Sequence, residues 1–257
     1  MNDETRETAT DHFLSALGFI TVLPSGKNHL YSPAGMSPYF PLVGFILGLL
    51  LCGFDFIAGH LWPPVVVAVL DVIFMMVITG AFHLDGLADT ADGIFSHRSR
   101  EKALEIMKDS RIGTMGLLAV VCGLSIKCAG IYSLAGSGMG RSLVLVLVPA
   151  YARSSLLFGI RFLPYGRSQG TGKGHFDKGL SARSFGWMLL PVILSAGLGL
   201  GAFYLNVVFV FVVWGLVTFY KRKMGCITGD MLGAMVEVCE SLLFLAMAAE
   251  CSLGLLG

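Results

Sequence analysis

The feature that most constrains this chain is a series of seven apolar runs separated by polar stretches. The runs lie near residues 39–60, 64–82, 113–135, 142–160, 186–203, 205–220 and 232–256. Most are close to the roughly 20 residues that an α-helix needs to cross a bilayer core. With 55% hydrophobic and 14% charged residues, the chain is far more apolar than a soluble domain. We predict an all-α, polytopic membrane helix bundle of about seven transmembrane helices, forming one domain over residues 1–257.

The count of seven depends on dividing the apolar stretch 186–220 into two helices. About 35 residues at ~1.5 Å each would reach past about 50 Å, which is too long for one span. The stretch 204–206, with Tyr204 and Asn206, is the best place for a turn. We therefore predict a tight helical hairpin there.

The distribution of basic residues predicts how the helices are oriented. They gather in alternate loops, at Arg6 and Lys27; at Arg98, Arg100, Lys102, Lys108 and Arg111; at Arg161, Arg167, Lys173, Lys178 and Arg183; and at Lys221, Arg222 and Lys223. The intervening turns hold only Arg141. By the positive-inside rule, this pattern predicts a cytoplasmic N-terminal segment (1–37), cytoplasmic loops at 83–112 and 161–185, and an external C-terminus in a cell (inner) membrane. The acidic start predicts no cleaved signal peptide, and the net charge of +1 predicts no nucleic-acid partner.

Three aspartates, Asp85, Asp89 and Asp92, follow the second apolar run in the motif HLDGLADTADG (83–93). At about 100° per residue, a helix would place all three on one face. Like charges at that spacing repel, so the face calls for a cation, and carboxylates suit Mg²⁺ or Mn²⁺. The motif predicts a metal site for phosphate chemistry. The alternative is a solvated helix end that merely stays out of the lipid.

Two further polar segments are predicted on the same side of the membrane. Lys108 and Arg111 could clamp a phosphate with Ser110 beside them, and Asp109 could be a metal ligand or a base. Alternatively, these residues form an interfacial helix end that contacts lipid headgroups. The glycine-rich loop 161–174 does not have the Walker A spacing, and a mobile loop is the better default.

Acids also recur at the start of the last apolar run. Asp230, Glu237 and Glu240 follow one another at intervals of seven and three, which is one helical face. We predict that Asp230 and Glu237 complete the metal site of the first motif. Within the apolar runs, Arg153 is a candidate substrate contact and Lys127 a structural charge.

These segments resemble the cobalamin synthase family, adenosylcobinamide-GDP ribazoletransferase. The resemblance rests on residues 83–93, on 107–113 (MKDSRIG) and on 228–234 (TGDMLGA) with the acids that follow, and it extends over nearly the whole chain. One departure is Ala81 with Phe82, where the family has a glycine-rich pair.

The resemblance implies the last joining step of cobalamin (vitamin B12) nucleotide-loop assembly. An alcohol of α-ribazole or its 5′-phosphate attacks adenosylcobinamide-GDP, and GMP leaves. It implies Mg²⁺ as cofactor, with Mn²⁺ as a substitute, and Thr228 as a substrate contact. His83 or a carboxylate would accept the proton of the attacking hydroxyl. Membrane lipid surrounds such an enzyme, and other cobalamin-assembly enzymes could dock on its cytoplasmic face.

Two alternatives stay open. A CDP-alcohol phosphotransferase of phospholipid synthesis would share the D-x-x-D-G of residues 89–93, although the remainder of that signature does not follow. A divalent-cation transporter would also use acidic residues, but near the bilayer midplane and not at span ends.

Overall fold

The computed structural model of the chain describes residues 7–26, 30–167, 174–177 and 180–252. Several features of the sequence lie outside these residues. They are Arg6, Lys27, Lys173 and Lys178 of the basic pattern, positions 168–173 of the glycine-rich loop, and the end of the last apolar run at 253–256.

The secondary-structure elements of the described residues are all helices, which confirms the all-α prediction. The α-helices are α1 (Ala9–Ile20), α2 (Pro33–Met36), α3 (Phe40–Gly59), α4 (Pro64–Ile78), α5 (Phe82–Ile94), α6 (Arg100–Ile106), α7 (Thr114–Ser133), α8 (Met139–Phe162), α9 (Gly174–Asp177), α10 (Leu189–Ser195), α11 (Leu200–Lys223) and α12 (Gly229–Ser252). Short 3₁₀ segments cover Ser37–Tyr39, Ala182–Met188 and Ala196–Leu198. The described ranges contain one isolated parallel β-bridge, between Tyr165 and Ile227.

Helices α8 and α12 form the centre of the bundle. Both are mostly buried, whereas α7 and α11 expose most of their apolar surface. Helix α3 packs along α8, and α12 packs against α5, α7 and α8. The exposed apolar surface of the outer helices is what a lipid-facing layer requires.

Five described helical segments are long and apolar enough to cross a membrane, and they define a multi-pass membrane protein. They are Ser37–Gly59, Thr114–Ser133, Met139–Phe162, Leu200–Lys223 and Gly229–Cys251. A sixth span results if α4 and α5 are counted together, although they are bent by 91°. A shorter apolar helix covers Ala182–Leu198, so the exact count of about seven stays a prediction.

The predicted hairpin at 204–206 is wrong, because α11 continues through it. The break lies at Gly199, whose φ of +60° favours glycine. Before this break, a short helix of alternating 3₁₀ and α segments runs between the two ends of the bundle. At one end Trp187 contacts Tyr39, with ring centroids 6.1 Å apart, and at the other end Gly197 lies against Leu143.

The polar residue that suggested a turn is instead satisfied inside the bundle. The amide of Asn206 donates to Ser195 Oγ at 3.1 Å, and its oxygen accepts from the Tyr151 hydroxyl at 2.8 Å. A polar side chain within an apolar run therefore does not by itself indicate a chain reversal.

A sharp bend separates α4 from the acidic motif. Gly80 and Ala81 both adopt left-handed backbone conformations, with φ of +60° and +54°. The second predicted span thus ends as a helix at Ile78, and α5 begins at nearly a right angle to it. This bend turns α5 across the end of the bundle, where it packs against α12.

Candidate active site

Helices α5 and α12 approach each other closely at two glycines. A Cβ added to Gly86 would lie 2.6 Å from the carbonyl oxygen of Asp230, and one added to Gly233 would lie 3.3 Å from the Cα of His83. The missing side chains allow backbone contact. The contact brings Asp85 on α5 to the same place as Asp230 at the start of α12.

A cavity of about 140 Å³ lies beside this contact. We call this cavity the acidic cavity. Its polar lining residues are His83, Asp85, Tyr165, Arg167 and Asp230. Its apolar lining, which we call the phenylalanine wall, includes Phe19, Phe40, Phe82 and Leu156. Five helices and the loop after α8 therefore converge on one small volume.

Arg167 reaches the acidic cavity from the loop after α8. The Gly166 N–H donates to the Ile227 carbonyl at 2.8 Å, and the Ile227 N–H donates to the Pro164 carbonyl at 2.9 Å. These bonds hold the loop against the start of α12. The Arg167 guanidinium forms an ion pair with Asp230 and donates to the Met107 carbonyl at 3.3 Å.

The acids around this ion pair outnumber the positive charge. Asp89 lies within electrostatic range of Asp85, Asp92 and Asp230, and of Arg167. Asp85 is exposed, whereas Asp89 and Asp230 are half-buried. Carboxylates that share a site in this way favour binding of a cation or of a proton.

The residues present fit a magnesium ion that is shared with a substrate. Among the described residues, no three His, Cys, Asp or Glu side chains are arranged to hold a metal ion. Mg²⁺ in phosphoryl-transfer sites, however, is held by one or two carboxylates together with waters and substrate phosphates. Asp85 and Asp230, on facing helices, with Asp89 nearby, are such a donor set.

Asp92 has a different environment from the other two acids of its motif. Its carboxylate accepts from the Gly113 N–H at 2.6 Å and from the Gly116 N–H at 2.8 Å. Both oxygens thus cap the start of α7, where negative charge is favourable. This contact ties α5 to α7.

The second motif lies on the exposed linker between α6 and α7. Lys108, Ser110 and Arg111 are exposed, and none of them lines the acidic cavity. The Arg111 guanidinium donates to Asp109 through Nε at 3.0 Å and through Nη2 at 2.6 Å. This interaction lowers the pKa of the Asp109 carboxyl to about 2. The predicted phosphate clamp is thus paired with its own neighbour.

Two predicted site residues belong instead to a buried ion-pair cluster of Lys127, Arg153, Glu237 and Glu240. Lys127 Nζ donates to Glu237 at 2.7 Å and to Glu240 at 2.6 Å, and Arg153 pairs with Glu240. Arg153 is fully buried and does not line the acidic cavity, so its role as a substrate contact stays a prediction. Glu237 does not line the acidic cavity either, because its carboxylate is held by Lys127 two helical turns deeper.

Thr228 and His83, the remaining predicted site residues, are both buried. Thr228 is fully buried, and its hydroxyl accepts from the Met231 N–H at 3.2 Å, so it caps the start of α12. His83 is 1% exposed and lines the acidic cavity, while its Nδ1 has no hydrogen-bond partner among the described residues. His83 therefore combines burial with access to the cavity.

Sequence reasoning did not single out Arg167 or the phenylalanine wall. Arg167 lies in a loop without periodicity, where one basic residue among several carries no distinguishing signal. The phenylalanines belong to three different helices, and only the tertiary fold brings them together.

The fold and this cavity define a multi-pass membrane protein with a carboxylate- and arginine-lined site at one end of its helix bundle. The chain belongs to the cobalamin-5-phosphate synthase family, whose model matches residues 12–248. It is similar to three adenosylcobinamide-GDP ribazoletransferases. That of Brevibacillus brevis is 35% identical, over 93% of this chain and 98% of the relative. That of Roseiflexus sp. is 37% identical, over 88% of this chain and 84% of the relative. That of Leptothrix cholodnii is 35% identical, over 92% of this chain and 94% of the relative. No solved structure matches the chain.

Proposed function

We propose that this protein joins adenosylcobinamide-GDP to α-ribazole or α-ribazole 5′-phosphate and releases GMP. The products would be adenosylcobalamin or its 5′-phosphate. The observation that carries the proposal is the meeting of Asp85, Asp230 and Arg167 in one cavity, built from two motifs of the family. The names of relatives that match nearly end to end support the substrates.

The chemistry requires three tasks of the chain. The ribazole hydroxyl oxygen forms a bond to the cobinamide-side phosphorus, the phosphoanhydride P–O bond breaks, and GMP leaves with the bonding electrons. Arg167 would bind the phosphate oxygens, for which its planar guanidinium is suited. Either Asp85 or His83 would accept the hydroxyl proton, because both line the acidic cavity. The phenylalanine wall would exclude water from the reacting groups.

We also propose Mg²⁺ as the cofactor, with Mn²⁺ as a substitute. Asp85, Asp89 and Asp230 would hold it, and the bound ion would offset the charge of the diphosphate. This assignment is supported by the excess of carboxylates around a single arginine. Because Asp92 caps α7, it would orient α5 and would not carry the ion itself.

We place the acidic cavity on the cytoplasmic side of the inner membrane. The alternation of basic loops supports this orientation, since Arg161, Arg167 and the basic end of α11 all lie at the cavity end.

The decisive test is a donor panel with purified protein in lipid nanodiscs. With α-ribazole and Mg²⁺, we expect GMP release from adenosylcobinamide-GDP and no CMP release from CDP-diacylglycerol. Removal of divalent ions by EDTA should stop the reaction, and added Mg²⁺ should restore it. Phospholipid product from the second donor would instead support the CDP-alcohol phosphotransferase. Divalent-cation flux into sealed vesicles without GMP release would support the transporter.

A further inference from the structure

The ion pair between Arg167 and Asp230 suggests how the acidic cavity prepares for its ligands. Arg167 lies where three segments meet: its own loop, the end of α6 at Met107, and the start of α12 at Asp230. Among the described residues that line the cavity, it is the one permanently positive side chain. Any anion that enters the cavity must therefore approach Arg167.

The partner of Arg167 is itself one of the carboxylates available to a cation. Asp230 is bonded to Arg167, so a divalent ion that bound the same carboxylate would come close to the guanidinium. A cation and a guanidinium cannot both occupy the same side of one carboxylate without repelling each other. Cation binding at Asp230 therefore favours the departure of Arg167.

The guanidinium also has a donor available for a new acceptor. Arg167 Nε is buried and has no hydrogen-bond partner in the described chain. Buried donors without partners are rare in native structures, and their presence points to a ligand or water. A phosphate oxygen is the acceptor that best matches the arginine fork.

We propose that Arg167 and Asp230 exchange partners when the substrates bind. Arg167 moves from the Asp230 carboxylate to the diphosphate of the donor, and Asp230 then holds the divalent cation. The identity of the diphosphate rests on the proposed function, whereas the exchange itself rests on the ion pair and the unpaired donor. Because one residue links both events, diphosphate binding and cation binding support each other.

The exchange predicts opposite effects of one substitution on the two ligands. In Arg167→Gln, the competing charge is gone, so Mn²⁺ alone, measured by electron paramagnetic resonance, should bind about tenfold more tightly. Binding of inorganic diphosphate in the presence of Mg²⁺, and the KM for adenosylcobinamide-GDP, should be weakened by about 10- to 100-fold. A merely structural arginine would weaken both ligands together.

Two variants serve as controls. Arg161→Gln removes an exposed arginine from the last turn of α8, whose guanidinium lies over the Phe162 ring, and should change neither affinity. In Asp230→Asn, adding Arg167→Gln should no longer raise Mn²⁺ affinity, because the contested carboxylate is absent. Thermal unfolding and size-exclusion chromatography establish that each variant is folded.

Unchanged or weaker Mn²⁺ binding by folded Arg167→Gln would overturn the exchange. So would a gain in Mn²⁺ affinity that persists in the Asp230→Asn background. Failure of the proposed function has a different signature, since wild-type protein would then release no GMP while Mn²⁺ and inorganic diphosphate still reported on Arg167 and Asp230.

Discussion

The carboxylates of Asp85 and Asp92 share one face of α5 but have different neighbours. Asp85 opens into the acidic cavity, whereas the oxygens of Asp92 are occupied by two backbone N–H groups at the start of α7. Helical periodicity shows that the two side chains share a face. It does not show what each carboxylate contacts, and the contact decides whether the charge is available to a ligand.

Substitution by Asn should separate these two roles. Asp85→Asn and Asp230→Asn keep size but remove charge, so GMP release should fall at least about 100-fold with little loss of stability. Asp92→Asn removes one acceptor from the α7 cap and should lower thermal stability by about 1–2 kcal/mol, with a smaller effect on rate. A rate loss in folded, fully stable Asp92→Asn as large as that of Asp85→Asn would contradict this division.

Ala81 tests the cost of the bend before α5. Its φ of +54° is unfavourable for a residue with a Cβ, by about 1–2 kcal/mol. Ala81→Gly should therefore raise thermal stability, by up to about 1 kcal/mol after the larger chain entropy of glycine is counted. The same change at the exposed helical Ala129 should lower stability by about 0.5–1 kcal/mol. Equal losses at both positions would show that the bend does not strain Ala81.

At the scale of elements, the contact between α5 and α12 sets the geometry of the site. In Gly86→Ala, the new Cβ would meet backbone of α12, which cannot rotate away as a side chain can. We expect a loss of about 1–3 kcal/mol in stability and a fall in GMP release, because Asp85 and Asp230 move apart. Gly53→Ala on α3 is the matched control, since nothing lies within 4 Å of its Cβ position. Equal stability of the two variants would refute the close contact.

The sequence predicted which acidic residues share a helical face, but not how far from the cavity each one lies along the helix axis. Residues 83–93 are helical, and Asp230 does meet that motif, as periodicity and motif position suggested. Glu237 shares the face of Asp230, yet it lies about 10 Å further along the axis, where Lys127 of α7 faces it. A single sequence does not state which helix lies opposite. Arg167 was missed for a different reason: it lies in a loop, where no helical period shows which way a side chain faces.

The buried ion-pair cluster makes a prediction of its own. Lys127→Met leaves Glu237 without its cation and should cost about 3–5 kcal/mol in thermal unfolding experiments. Adding Glu237→Gln leaves Arg153 with Glu240 as a balanced pair and should recover at least about half of that loss. A double variant less stable than Lys127→Met would mean that charge balance is not the reason for the cluster.

At the scale of the whole molecule, polar interactions are concentrated at definite depths in the bundle. The acidic cavity occupies one end. At the other end, Arg141 donates through Nε to Asp55 at 3.1 Å and contacts the fully buried Asp71, while its Nη1 donates to the Ile131 carbonyl at 2.6 Å. Arg141, the one basic residue in the turns predicted to be external, is thus paired inside the protein. The exposed basic residues lie in the loops at the other end of the bundle, which are predicted to be cytoplasmic.

Cysteine labelling of intact cells would test this orientation. Ala135→Cys, in the exposed turn between α7 and α8, should react with an impermeant maleimide, and Ser99→Cys before α6 should react only after lysis. Labelling is measured above the wild-type level, which includes the exposed thiol of Cys122. Reaction of Ser99→Cys in intact cells would place the acidic cavity outside and contradict the proposed donor.

The pairing of Lys127 with Glu237 also bears on how the chain is made. The two residues are separated by 110 positions, so a growing chain presents the lysine to the membrane long before its partner exists. An unpaired lysine in lipid is unfavourable by about 2.5–3.5 kcal/mol on insertion scales. We therefore expect α7 to be held in the bilayer less firmly until α12 emerges. In chains stalled on the ribosome before residue 229, we expect α7 to be extracted from the membrane more easily than in the complete chain, because α12 supplies the partners of Lys127.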